Sequence, residues 1–151
     1  MIAHGMIYVA GGVTAQALTT TPTKLTCFAG NGDHDSADDG DMRIQPSVST
    51  DSVKVKPGNY LVHFTLCGSG DDIDFTFFLR KNGVKVGRLG SKNATEAAAG
   101  DVKAMIRGLL TVNESDLASD GLCPIEVYGE GSGSGNLTPT FAQLAVLALS
   151  A

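Results

Sequence analysis

Five aspartates crowd the stretch GDHDSADDGD at residues 32–41: Asp33, Asp35, Asp38, Asp39 and Asp41. Carboxylates at this density are hard oxygen donors, of the kind calcium gathers in a flexible shell of roughly six to eight oxygens. The spacing departs from an EF-hand loop, because Ala37 stands where the third ligand would have to be. Asp71, Asp72 and Asp74 would add carboxylates if the two segments met. The stretch is therefore expected to be a solvated acidic loop without metal, with calcium binding as the alternative.

The other chemically capable residues are dispersed. His4, His34 and His63 stand in no HExxH or other spaced metal motif. His63 falls on the strand face opposite Tyr60 and Phe64, where it serves as an exposed or hydrogen-bonded residue rather than as a base. Cys27, Cys67 and Cys123 are an odd set without CxxC spacing, which suits three reduced thiols better than a disulfide framework or a zinc ribbon. Cys27 reads as a buried, inert thiol. The sequence contains no GxSxG elbow, and the GSGSG of residues 131–135 lacks the lysine and helix of a phosphate loop. No catalytic residue and no cofactor are expected.

Charge excludes a further class. Eleven basic against sixteen acidic residues give a net charge of -5, so the positive footprint of a protein that tracks phosphates is missing and nucleic acid is not an expected partner. No apolar run approaches the roughly 20 residues of a membrane-spanning helix. The N-terminal MIAHGMIYVAGG has no basic leader region and is broken by His4, Gly5 and Gly11-Gly12, so it is expected to be mature sequence of a soluble protein.

The elements that would carry these residues are strands. Tyr60, Val62, Phe64 and Leu66 alternate with Leu61, His63 and Thr65, the period of a half-buried strand. Ser52 to Val55 alternates in the same way ahead of Lys56-Pro57-Gly58-Asn59, where a type II turn is expected to reverse the chain. Ile73, Phe75, Phe77 and Leu79 form one face of the next strand, and Asn82-Gly83 after it is a strong hairpin signal. Residues 102–112 and 122–129 read as strands, with Pro124 suited to an edge, a bulge or a strand start. Residues 94–99 have helix-forming composition, while 141–149 (FAQLAVLAL) reads as a strand apolar on both faces. With 151 residues, 19 glycines and no long linker, the sequence predicts one all-β domain: an antiparallel sandwich or jelly roll of about eight to ten strands.

Val53-Lys54-Val55, Pro57-Gly58-Asn59-Tyr60, Phe75 to Leu79 and Lys81-Asn82-Gly83-Val84, followed by a closing apolar strand, resemble in layout the tumour necrosis factor and C1q-like jelly rolls. The resemblance runs over residues 14–150. It implies a homotrimer with the final strand and aromatic residues near the axis, which here points to Phe78, Phe141, Leu144 and Val146. It also implies a division into a jelly-roll domain at 14–151 and a segment at 1–13 that is either an N-terminal arm or the domain's own first strand.

Small free-standing jelly rolls of this layout are similar to the decoration, or cement, proteins of tailed bacteriophage heads. That similarity implies a structural virion protein, made in the host cytoplasm, which binds the major capsid protein on the outside of the head. Ile2, Met6, Ile7 and Tyr8 would make the capsid contact. The alternative is the trimeric receptor- or glycan-binding head of a tail fibre or spike, using loops near 31–41 and 130–136. A secreted signalling ligand of the C1q or tumour necrosis factor type is a third reading.

Overall fold

The computed structural model describes residues 2–37, 40–94 and 100–150. Asp38 and Asp39 of the acidic stretch, and 95–99 of the alanine-rich segment, lie outside the described residues. The strands are β1 (His4–Ala10), β2 (Gln16–Leu18), β3 (Thr23–Lys24), β4 (Asp33–Ala37), β5 (Ile44–Ser47) and β6 (Ser52–Val55). They continue with β7 (Gly58–Gly70), β8 (Asp74–Lys81), β9 (Val84–Ala94), β10 (Asp101–Val112), β11 (Cys123–Gly131) and β12 (Gly135–Ala148). The long strands are those the periodicity marks; β2 and β3, at three and two residues, are too short to leave a periodic trace.

Two antiparallel sheets face each other. The first runs β10-β7-β12-β1-β4, with β2 added to β12; the second runs β5-β6-β11-β8-β9, with β3 added to β11. Apart from the β8–β9 hairpin, the long strands from β7 onward switch sheets, β7 in the first being followed by β8 in the second, β9 by β10, β10 by β11 and β11 by β12, which is the winding of a jelly roll. The crossing from β6 to β7 corrects one expectation: Lys56-Pro57 does not reverse the chain into a hairpin but carries it from one sheet to the other. The corner is braced by Tyr60, whose buried phenol donates to the Lys56 carbonyl at 2.6 Å. Burial pushes that phenol's pKa up to about 12, so it stays a donor.

The core follows from the period of two. Tyr60, Val62, Phe64 and Leu66 of β7 point inward and are fully buried, as are Ile7 of β1 and Leu144 of β12. Phe75, Phe77 and Leu79 meet them from β8, with the Phe64 and Phe77 rings 6.3 Å apart between centroids. The β8–β9 hairpin closes through Asn82 and Gly83, both with positive φ (45° and 80°), the requirement of a type I′ turn. β12 is paired on both sides, and Pro139, which has no amide to give, sits where its register with β7 shifts. That bulge presses on Gly68 of β7, where a Cβ would collide with the Thr138 carbonyl oxygen and come within 2.7 Å of Pro139 Cα.

Of the two alternatives for the N-terminal segment, residues 4–10 take that of a strand of the domain, hydrogen-bonded to β12 on one side and β4 on the other. One further expectation changes: residues 33–37 are no loop but an edge strand, because they continue the ladder beyond β1.

Candidate functional site

The two outer faces of the sandwich are finished differently. On the second sheet, Phe78 breaks an otherwise polar face, yet it is only 2% exposed. Gly90 lies opposite it in register, and its ring stacks on Tyr128 at 6.1 Å with Lys85 Nζ 4.5 Å from its centroid. The Arg80 guanidinium lies 4.1 Å from the Tyr128 centroid, and Lys24–Glu126 and Lys54–Asp120 ion pairs extend this cover. Phe78 is thus sealed by its own chain and is corrected as a subunit contact.

The outer face of the first sheet has no such cover among the described residues. Strand register sorts its side chains into rows running from β10 through β7, β12 and β1 to β4. One row is Leu109–Leu61–Leu147–His4–Ala37; the next is Arg107–His63–Ala145–Met6–Asp35; the third is Met105–Thr65–Gln143–Tyr8–Asp33. Met105 is 62% exposed, Leu109 58% and Leu147 37%. Small Ala145 leaves a shallow apolar depression of about 200 Å³ between Met6, Leu61, His63 and Leu147. His63 Nε2 is 3.0 Å from Thr65 Oγ1.

The residues singled out from sequence divide by strand parity. Leu144 and Val146 point into the core and reach no neighbour, so both are corrected as subunit contacts. Ile7 is corrected in the same way as a capsid contact, being fully buried. Phe141, Met6 and Tyr8 are half-buried on the outer face, and Ile2 is 48% exposed just ahead of β1. Met105, Leu109, Leu61 and Leu147 were not singled out. Their signal was present as apolar residues at the polar positions of alternating strands: Met105 and Leu109 interleave with Lys103 and Arg107.

The described residues of the acidic stretch do not converge on one point. Asp33 and Asp35 lie exposed on β4, Asp41 pairs with Lys56 at 3.3 Å, and Asp71 accepts the Asn136 amide at 2.7 Å. Among the described residues no three His, Cys, Asp or Glu side chains form a group able to hold a metal ion. Burial, reinforced by the Asp51 carboxylate, pushes the Cys27 thiol up to about 12, and burial takes Cys123 to about 11. Neither is a thiolate near neutral pH, which is what a nucleophile would need. Asp51 itself, at φ 52°, accepts the Phe28 and Ala29 amides at 3.0 and 2.9 Å, so its role is to pin a loop.

No family model and no curated protein matches the sequence. Solved structures do match. The Eiger TNF structure from S. frugiperda superposes with a TM-score of 0.60 at 11% identity, covering 99% of this chain and 94% of that one. Murine APRIL superposes at 0.57 in its pH 5.0 structure and 0.56 at pH 8.5, each at 12% identity, with 97% of this chain and 99% of that chain covered. The fold is a tumour necrosis factor-like jelly roll, and at these identities the likeness extends to the fold alone.

Proposed function

We propose that this chain is a non-catalytic assembly protein that self-associates through the outer face of the β10–β4 sheet. The observation that carries the reading is the contrast between the faces: one seals its aromatic residues under its own cations, while the other leaves Met105, Leu109 and Leu147 in water. A sheet face that leaves several large apolar side chains in water is what a subunit interface covers. A homotrimer suits the jelly-roll layout. In its fuller form the proposal is a decoration protein of a phage head, stabilising the shell by binding only the assembled state of the major capsid protein. The compact jelly roll and the acidic net charge support that form.

A second reading is favoured by the solved structures, since Eiger TNF and APRIL share the whole length of the fold: a ligand of the tumour necrosis factor type. Light scattering of the purified 15.6 kDa chain at two concentrations tests the common part. A mass near three chains at both supports the trimer, and a monomer at both overturns it. Co-sedimentation of the assembled protein with intact phage heads then tests the decoration reading, which fails if no head retains it.

A further inference from the structure

The uncovered face is electrically lopsided. Its β10 margin carries Lys103 and Arg107, with Asp101 at the start of the strand, and its β4 margin carries Asp33 and Asp35. Arg107 and Asp35 are both exposed, and neither has an ion-pair partner among the described residues. They terminate the same row, Arg107–His63–Ala145–Met6–Asp35, so four strand spacings, about 19 Å at roughly 4.8 Å each, keep them apart within one chain.

Resting on the self-association proposed above, we infer that the occupant of this face is a second copy of the chain, bound margin to margin, with Arg107 of one copy paired to Asp35 of the next. The reason is geometric. A rotation axis running along the strands leaves height along the strand unchanged, so each row meets the same row of the neighbouring copy. Here that operation brings opposite charges together at one height. Met105 and Leu109 flank Arg107 on the same side of β10, and the depression beside Ala145 lies on the same sheet face, between β1, β12 and β7. Exposed apolar knobs, an apolar hollow and complementary margins thus belong to one surface, as a head-to-tail contact that closes on itself requires.

The test is charge exchange. Arg107→Glu and Asp35→Lys each place like charges at the contact, and each should raise the dissociation constant of self-association by about tenfold or more. The double variant exchanges the signs and should return to within about threefold of wild type, a rescue that general damage to the surface does not produce. Sedimentation equilibrium reads the constants, and circular dichroism checks that each variant is folded. Wild-type protein that assembles while both single variants assemble equally well, or while the double variant stays dissociated, overturns the pairing but leaves self-association standing. A wild-type monomer at every concentration overturns both, and leaves the face to a different macromolecule.

Discussion

Asp51 shows how a carboxylate in this chain serves architecture. It is 4% exposed, and burial raises its pKa, with the Ala29 and Phe28 amides and then Lys24 pulling in the other direction. A carboxyl raised in the folded state holds its proton more tightly there than in the unfolded chain. Its contribution to stability is therefore complete below the unfolded value and is lost as pH rises through the raised folded value. Asp51→Asn keeps an oxygen for the two amides and removes the titration. Urea midpoints measured across that pH window should fall more steeply in wild type than in Asp51→Asn, and parallel profiles would refute the linkage. Asp51→Ala leaves the buried Phe28 amide without its acceptor and should cost about 1–3 kcal/mol. The sequence shows an acidic residue next to a strand; that two amides from a loop more than twenty residues earlier converge on it is a product of folding.

Among the elements, β12 is the most informative. Its apolar run was legible as a strand, but apolar character on both faces does not say which residues lie inward, because that depends on the register with β7 and β1. The bulge at Pro139 sets this register: Phe141 turns outward beside Cys67, and Leu144 and Val146 turn inward. Gly68 is the complement of the bulge, since the chain at Thr138 and Pro139 occupies the space a side chain would take. Gly68→Ala should therefore destabilise the domain by about 1–3 kcal/mol through overpacking, read as a shift in the denaturant midpoint. An unchanged midpoint would mean that β12 relaxes away from β7 without cost. The Asn82-Gly83 hairpin was fully legible because its signal is local: two residues that tolerate positive φ between strands.

For the whole molecule, the distinction between inward and outward residues of the first sheet becomes a pair of contrasting expectations. Leu144→Ala removes a fully buried side chain and should cost about 2–5 kcal/mol, lowering the midpoint of unfolding. Met105→Asp changes a side chain that is 62% exposed and should leave folding of the single chain within about 0.5 kcal/mol of wild type while shifting the mass in solution toward the monomer. If Met105→Asp kept the wild-type mass, the outer face of this sheet would not be the assembly surface.

The sequence by itself determined the all-β class, the long strands and their apolar faces, the β8–β9 turn and the absence of a recognisable catalytic motif. These are properties of composition and of short-range period, and they need no partner segment to be read. Tertiary structure alone decided which of two apolar faces is core, that Phe78 is sealed by Arg80, Lys85 and Tyr128, and that residues 33–37 extend a sheet as its acidic margin. Each depends on pairing between segments far apart in the chain. A one-residue change in such a register exchanges the two faces of a strand, and no local pattern fixes it.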